Sequence, residues 1–382
     1  MPKPWSQARR STPALDLPHC PNSACHFHSP QPGWTVVRDG SFRRPSDGQP
    51  FPRFRCRHCG RRFSSRTFAP DYWLRYRHLL IPIASLSPEG PGIRQIARLL
   101  DISHATVMRH IARAARLSLL FHSHWIAHAP VPNVIVIDGF ESFEFSQYYP
   151  FHLNIAVDAH SWLIRSYTDS PLRRKGAMRA DQRRRRQDLE ATYGRPDPKA
   201  VEEGIFELLR AVARSSRSSH STELLLHSDD HPAYPRALQR YRRLPDTRPI
   251  RHQITPSTVR RTTRNPLFPV NLTDLLLRHG QANHRRETIA FSKRRQGALE
   301  RMAVFVVWRN MIKSRREKVA GETAAMAAGI LSRPLGWEDV FARRLFPRRE
   351  DLPGPWWSYY WGRIRTAVLG DRQREHALKY AF

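Results

Sequence analysis

Residues 134–141, VIVIDGFE, decide how most of this chain is interpreted. Four β-branched residues, Val134 to Ile137, lie between a proline-rich stretch and a glycine, which is typical of a short buried strand. Asp138 follows this run directly. A carboxylate at the end of a buried strand is costly to desolvate unless a cation or hydrogen bonds compensate it. The stretch therefore raises the question of which cation Asp138 binds.

A second stretch, LLLHSDDHPAY, also predicts a buried strand that ends in acids. Leu224–Leu226 form its apolar part, and Asp229 and Asp230 follow. If the two strands are neighbours, Asp138 and Asp229 converge, and paired carboxylates suit hard cations such as Mg²⁺ or Mn²⁺. Two such ions about 4 Å apart can activate a hydroxyl group and stabilise a leaving oxygen in phosphodiester chemistry. For a further strand-end acid, Asp158, a turn contact is the default expectation.

The charge balance points to a polyanionic partner. The 382 residues include 64 lysines and arginines against 33 acids, which gives a formal net charge of +31 and a pI near 11.3. This surplus argues against an ordinary enzyme acting on a small neutral substrate and favours nucleic acid, with a ribosomal-type or membrane-surface protein as the alternative. Neither a run of ~18 apolar residues nor a signal-peptide core is found, so we expect a cytoplasmic protein with no membrane partner.

All four cysteines precede residue 60 and form two pairs. Cys20 and Cys25 are spaced C-x4-C, and Cys56 and Cys59 are spaced C-x2-C, about 30 residues further on. Two such pairs predict a structural Zn²⁺ held by four thiolates. A short proline-rich segment builds little core, so the metal would supply its folding free energy. Nearby histidines are alternative ligands: His19, His26, His28 and His58.

Residues 92–116, GIRQIARLLDISHATVMRHIARAAR, predict two short helices joined by a tight turn. Ser103 is placed to cap a second helix that begins at His104. This is the helix-turn-helix pattern, and a plain helical hairpin is the alternative. The second helix would enter the major groove of double-stranded DNA. The side chains that it would present are His104, Thr106, Arg109, His110 and Arg113.

These features divide the chain into four predicted parts. They are a zinc-ribbon head (1–70), a helix-turn-helix domain (71–130), an α/β core (131–315) and an aromatic C-terminal tail (316–382) with a packing or subunit-contact role. The core contains a strongly basic insertion, 172–198, with four consecutive arginines from Arg183 to Arg186. One interpretation of this insertion is a solvated or disordered loop, and the other is an element that grips a phosphate backbone.

The order of these motifs resembles a known family. A four-cysteine ribbon, a helix-turn-helix, VIVIDGFESFEF, LHSDDHPAY and VNLTDLLLRHGQANHRRETIAFSKR follow one another over roughly residues 18–312. Together they resemble the bacterial insertion-sequence transposases of the DDE superfamily, which have a ribonuclease-H-like catalytic core. The most specific piece is RRETIAFSKR, residues 285–294, which is similar to the RKTICFS segment of the simplest insertion sequences.

The resemblance assigns two catalytic acids. Asp138 matches the first, on the first core strand. Asp229 matches the second, because the family's second acid is followed five residues later by a tyrosine, here Tyr234. Asp230 is the near alternative. The resemblance implies that Asp138 and Asp229 hold the catalytic Mg²⁺ or Mn²⁺.

The third catalytic position departs from the family pattern. The family places a glutamate on a helix, with a basic residue seven positions later, and here these positions are Asn271 and Arg278. The chain is therefore similar to groups that use asparagine there, and Asp274, one turn along the same helix, is the alternative. Two glutamates farther along, Glu287 and Glu300, are expected to pair with arginines.

The resemblance implies a transposase that binds the terminal repeats of its own element. Water would attack first, and the freed 3′ hydroxyl would then attack target DNA, with the protein working as a homodimer or higher oligomer on nucleoid DNA in a bacterial cytoplasm. The alternative, from another class, is a non-catalytic DNA-binding protein derived from a transposase, which needs the ribbon and the helix-turn-helix but not the carboxylates. A nuclease acting on structured nucleic acid is a third interpretation.

Overall fold

The computed structural model describes residues 17–29, 31–45, 47–214, 223–286 and 288–370. It shows a multidomain α/β protein with a mixed five-stranded sheet, surrounding helices and a separate small sheet near the N-terminus.

The N-terminal part is a three-stranded antiparallel sheet. Its strands, in spatial order, are β1 (Val36–Arg43), β2 (Pro50–Cys56) and β3 (Arg62–Ser64). The C-x2-C motif lies on the tight turn between β2 and β3, where Gly60 adopts a φ of 71° and donates its N–H to the Cys56 carbonyl. Phe54 and Phe63 are the buried aromatic side chains of this sheet, so its core is small.

Three helices follow: α1 (Leu80–Leu86), α2 (Ile93–Leu99) and α3 (His104–Ala127). The Ser103 side chain accepts a hydrogen bond from the Thr106 N–H at 3.2 Å, so the predicted N-cap is present. The prediction of a short second helix was wrong, because α3 runs for 24 residues. Its first turns pack on α1 and α2 through Val107 and Ile111, and its later turns enter the main core.

The central sheet has the strand order β6-β5-β4-β7-β8. Its strands are β4 (Val134–Phe143), β5 (Pro150–Asp158), β6 (Ile164–Pro171), β7 (Leu224–Ser228) and β8 (Ile250–Ile254). β4, β5 and β6 are antiparallel to one another, whereas β7 is parallel to both β4 and β8. The two strands predicted from VIVIDGFE and LLLHSDD are therefore neighbours, and Val136 is paired with His227.

Helices cover both faces of this sheet. On one face, α5 (Ala200–Arg214) and α6 (Ala233–Tyr241) pack against Ile135 and Ile137. On the other face, α3, α7 (Phe268–Gly280) and α8 (Arg295–Val307) pack in the same core as Val136 and Phe140. The alternation of β4 side chains between these two cores follows from the period of two in a strand.

The basic insertion contains a helix, α4 (Ala180–Tyr193), so the interpretation as a loop was wrong. None of the side chains of α4 is buried. The predicted turn contact of Asp158 is confirmed, since its carboxylate accepts the N–H groups of His160 and Ser161 at 3.0 and 2.9 Å. Its other carboxylate oxygen forms an ion pair with the buried Arg165 at 3.2 Å, which the sequence did not predict.

The C-terminal segment is part of the main core. It contains β9 (Ser314–Arg316), β10 (Val319–Thr323), α9 (Ala324–Ala327), α10 (Trp337–Val340) and α11 (Gly354–Tyr360). Trp356 is 1% exposed and donates its indole N–H to the Tyr167 carbonyl at 2.8 Å. The tail therefore packs against the central sheet, and one hydrophobic core continues across the predicted boundaries at residues 130 and 315. Among the described residues, no helix is both long and apolar enough to cross a bilayer.

Candidate active site and metal centre

Three carboxylates share the face of the sheet covered by α7, and Asp138 interacts electrostatically with the other two. The alternation of β4 places Asp138 on the face of Val136 and Phe140, and Asp229 continues the alternation of β7 on the face opposite to Leu224 and Leu226. Both acids lie two residues beyond the paired positions 136 and 227, so the parallel register brings them side by side. On α7, Asp274 faces the same place. We call these three residues the acid triad.

Electrostatics couple the members of the acid triad. Burial and then the charge of Asp229 raise the pKa of Asp138 to about 6, although the Gly139 N–H donates to the Asp138 carboxylate at 2.7 Å. Burial and then the negative charges of Asp138, Asp229 and Asp274 raise the pKa of Tyr234 well above its ordinary value. Tyr234 therefore lies within electrostatic range of all three acids. Like charges held together in this way are stabilised by a bound cation.

The neighbouring Asp230 points elsewhere. Its carboxylate accepts hydrogen bonds from the N–H and hydroxyl of Ser257, at 3.4 and 3.3 Å. The Asp229 carboxylate accepts the His231 N–H at 3.1 Å and keeps its electrostatic contact with Asp138. Of the two consecutive acids, Asp229 is therefore the one placed with Asp138.

At the third position, the geometry favours Asp274 over Asn271. Burial and then Asp138 raise the pKa of Asp274 well above its ordinary value, and its buried Oδ1 has no hydrogen-bond partner among the described residues. A buried carboxylate oxygen without a partner costs free energy that a metal ligand bond recovers. In the described part of the chain, the Asn271 side chain makes no hydrogen bond to either acid, and its backbone N–H bonds to Leu267 as part of α7.

Arg278 is fixed beside the acid triad. Its guanidinium lies over the Phe140 ring at 4.4 Å and donates to the His284 carbonyl at 3.1 Å. Its positive charge only partly opposes the rise that burial and Asp138 cause in the pKa of Asp274. His284 is fully buried, hydrogen-bonded to Ser142 at 2.8 Å, and burial lowers its pKa to about 3, so the ring is neutral. Arg278 is thus a positive group held at a defined position near the carboxylates.

Two further residues of this site were missed by the sequence analysis. Arg261, exposed on the loop before α7, counteracts the negative charge of both Asp138 and Asp274. Tyr234 lies under the acid triad, although the sequence offered it only as a spacing marker. Nothing in their local pattern indicates these contacts, because both depend on how the loop and α6 pack against the sheet.

Glu300 and Glu287 were expected to form salt bridges with arginines. Glu300 accepts a hydrogen bond from the Gln296 amide at 3.2 Å, and burial raises its pKa to about 7, although this hydrogen bond and the charge of Arg116 oppose the rise. None of the ion pairs of the described residues includes Glu300, so the salt-bridge prediction was wrong for this residue. Glu287 lies outside the described residues.

The four cysteines form the tightest cluster of metal-ligating side chains. Their sulfur atoms all lie within 4.8 Å of one another, and Cys20 and Cys59 are 3.6 Å apart. Four thiolates around a zinc ion with Zn–S bonds near 2.3 Å would be separated by about 3.8 Å, so this donor set fits Zn²⁺. In the described ranges, this is the only group of three or more such side chains gathered at one point.

The environment of Cys56 favours the thiolate that a metal requires. Burial opposes the charge, but the backbone N–H groups of Cys59 and His58 and the Trp34 indole, 3.3 Å from the sulfur, lower the pKa of Cys56 to about 7. The alternative ligands are occupied: His19 and His28 both hydrogen-bond to the Cys20 carbonyl at 2.9 Å. The rings of His26 and His58 pack against Phe27 instead.

The five residues predicted to read DNA divide into two groups. His104 and Arg109 are exposed on the first turns of α3, with Thr106 half-buried between them. His110 is 2% exposed, and its two ring nitrogens bond to the Thr106 and Tyr76 carbonyls at 2.9 and 2.8 Å. Arg113 is 4% exposed and donates to the Pro70 carbonyl at 3.2 Å. The prediction that His110 and Arg113 project toward DNA was wrong, because both anchor α3 to the segment before α1.

Comparison with known proteins adds no assignment. No protein-family model matches the chain. No curated protein matches it either.

Proposed function

We propose that the chain is a DNA transposase that cleaves and joins DNA strands in a metal-dependent reaction. The observation that carries the proposal is the acid triad: the parallel register places Asp138 beside Asp229, and Asp274 on α7 interacts electrostatically with Asp138, in a chain of net charge +31. The antiparallel β4–β6 meander with two parallel strands added to β4 is compatible with the ribonuclease-H-like core that the sequence resemblance implies.

The residues fit a divalent-cation site. Asp138, Asp229 and Asp274 supply hard oxygen ligands, and the unpartnered Oδ1 of Asp274 is available as one of them. Bound Mg²⁺ or Mn²⁺ would supply an activated hydroxyl and stabilise the departing oxygen. Arg278, held by Phe140 and His284, and Arg261 would orient the scissile phosphate and offset its charge. In each step one P–O bond forms and one breaks, first with water and then with the freed 3′ hydroxyl.

The N-terminal parts would bind the DNA of the element's ends. His104 and Arg109 are exposed at the start of α3, where a recognition helix contacts base edges. Exposed arginines around the four-cysteine centre add phosphate contacts: Arg53, Arg55, Arg57, Arg61 and Arg62. We propose duplex DNA as the partner and an oligomer of this chain on it, in a bacterial cytoplasm.

The test is strand cleavage by purified full-length protein on a supercoiled plasmid carrying the chromosomal segments that flank the gene. We expect Mg²⁺- or Mn²⁺-dependent nicking that disappears in Asp138→Asn and Asp229→Asn. Asp230→Asn is the matched control, since Asp230 bonds to Ser257, and it should keep activity. Undiminished nicking by Asp138→Asn or Asp229→Asn would refute the catalytic assignment.

A second candidate is a DNA-binding protein without catalytic activity. The spacing of the carboxylates favours this candidate. Within the described residues, their oxygen atoms are not gathered around one point as the four thiols are. This candidate predicts flank-specific binding with no cleavage by the unaltered protein at any Mg²⁺ or Mn²⁺ concentration.

A further inference from the structure

The basic insertion places an arginine-rich helix on the surface of the α/β core. Helix α4 has the sequence ADQRRRRQDLEATY and buries none of its side chains. A helix that is polar on every side gains little from core packing, so another interaction accounts for its charge. The stretch 172–198 carries nine arginines and lysines against four acids. It thus has a local positive excess on an already basic chain.

Ion pairs hold this helix in place. Glu190 on α4 pairs with Arg173 through two contacts of 2.7 and 2.9 Å, with Arg195 at 2.9 Å and with Arg186 at 3.4 Å. The guanidinium of Arg174 lies 4.9 Å from the centre of the Tyr148 ring. These contacts attach α4 to the segments that enter and leave it and to the turn between β4 and β5. Arg173, Arg186 and Arg195 therefore hold the helix in position.

The helix stands at the same end of the sheet as the acid triad. Residues 172–179 lead from the end of β6 to α4, and β6 ends level with the start of β5, where Phe151 pairs with Pro171. His152 lies at this end of the sheet but on the face opposite to Asp138, since a Cβ on Gly139 would lie 2.9 Å from its Nδ1. Burial, then His231, then Lys175 lower the pKa of His152, so both residues are near its ring. His231 follows the triad residue Asp229 by two positions.

We propose that Arg183, Arg184 and Arg185 bind the phosphate backbone of the duplex DNA whose strand lies at the acid triad. All three side chains are exposed, whereas Arg186, the fourth of the run, is half-buried and pairs with Glu190. Guanidinium groups match phosphate oxygens and do not depend on base sequence. The inference rests on the proposed function for the position of the DNA, and it assigns α4 as a second, sequence-independent duplex contact separate from α3.

The test is the salt dependence of binding to a random-sequence 40-base-pair duplex, measured by fluorescence anisotropy. Full-length Asp138→Asn protein serves as the background, so that no cleavage occurs. In this background, Arg183→Gln, Arg184→Gln and Arg185→Gln are combined. Three lost phosphate contacts should reduce the slope of log affinity against log salt by about 2 to 3, at ~0.9 per contact. The matched control combines Arg316→Gln, Lys318→Gln and Arg333→Gln, which removes the same charge from exposed positions on β9, the turn after it and the segment before α10.

We expect the control to lose less than a third of the slope lost by the α4 variant. Equal losses in the two variants would show a general charge effect, and an unchanged slope in the α4 variant would show no phosphate contact; either result overturns the proposal. Loss of affinity for an RNA duplex but not for the DNA duplex would also overturn it. Because binding is measured without cleavage, failure here is distinct from failure of the proposed catalytic function, which the nicking assay reports.

Discussion

At the scale of single residues, the third carboxylate of the site follows from packing and not from sequence spacing. Counting along the resemblance places the position on Asn271, but the structure couples Asp274 to Asp138 and leaves its Oδ1 unpartnered among the described residues. One turn of α7 separates the two side chains, so a sequence motif cannot distinguish them. The rotation of α7 about its axis relative to β4 determines which of the two side chains faces Asp138. This rotation depends on the buried side chains Val270, Thr273 and Leu277.

We therefore expect Asp274→Asn to reduce nicking to the level of Asp138→Asn, because each removes a charged oxygen ligand of the same metal site. Asn271→Ala should keep most of the activity. Both variants should bind duplex DNA as the unaltered protein does, which excludes a folding defect as the cause. An inactive Asn271→Ala with an active Asp274→Asn would reverse the assignment.

The cysteine cluster makes a prediction about metal content. We expect about one Zn²⁺ per chain by elemental analysis, and its loss in Cys56→Ser together with the folded state of residues 17–68, because Phe54 and Phe63 alone provide little core. His58→Ala is the matched control on the same turn, since its ring packs against Phe27, and it should retain the metal. A reduced, folded preparation of the unaltered protein with almost no zinc would contradict the assignment.

At the scale of elements, helix α3 combines two roles along its length. Its start is exposed and capped by Ser103, and its later turns are buried in the main core. The sequence predicted the cap, the start of α3 at His104 and the preceding turn correctly, because these depend on local pattern. It did not predict the length of α3 or the burial of His110 and Arg113, since both depend on segments 34 and 43 residues away in the chain.

The helical structure of α4 was likewise not predicted from local sequence pattern. A run of four arginines carries no apolar periodicity, so there was no sequence signal from which to predict a helix. The structure shows that Glu190 pairs with three neighbouring arginines, of which Arg186 lies on α4 itself, and this offsets part of the repulsion that opposes helix formation.

Variants of α3 separate its two roles. Arg109→Ala should weaken binding to the flanking DNA by ~1–3 kcal/mol, because its exposed guanidinium is one of the proposed duplex contacts. Arg113→Ala should instead lower the free energy of unfolding by ~1–3 kcal/mol, since it leaves the Pro70 carbonyl unpaired in a buried place. Titration with labelled duplex and denaturant unfolding measure the two effects. A specific loss of DNA affinity in folded Arg113→Ala protein would argue against this division.

At the scale of the whole molecule, the strand pairing could be foreseen and the shared core could not. The β-branched run before Asp138 and the leucines before Asp229 mark two buried strands, and such strands in one chain tend to be neighbours. The aromatic tail gave no comparable signal, because its residues have no regular period. In the structure, Trp356, Tyr359 and Tyr360 lie in the same core as α3, α8 and the central sheet, so the tail supports the sheet that carries the acid triad.

This shared core predicts that Trp356→Ala destabilises the α/β core as a whole. The indole is 1% exposed, donates to the Tyr167 carbonyl at 2.8 Å and contacts the His122 and Tyr167 rings. Its removal should lower the free energy of unfolding by ~3–5 kcal/mol, from lost burial and the cavity that remains. Tyr193→Ala, an aromatic truncation at a position 45% exposed on α4, should change stability by less than ~0.5 kcal/mol. Denaturant unfolding followed by circular dichroism measures both. If the tail were an independent unit, Trp356→Ala would shift only a minor unfolding transition and leave the main one in place. We expect the main transition to shift, because the tail, α3 and the sheet bury one continuous apolar surface and must expose it together.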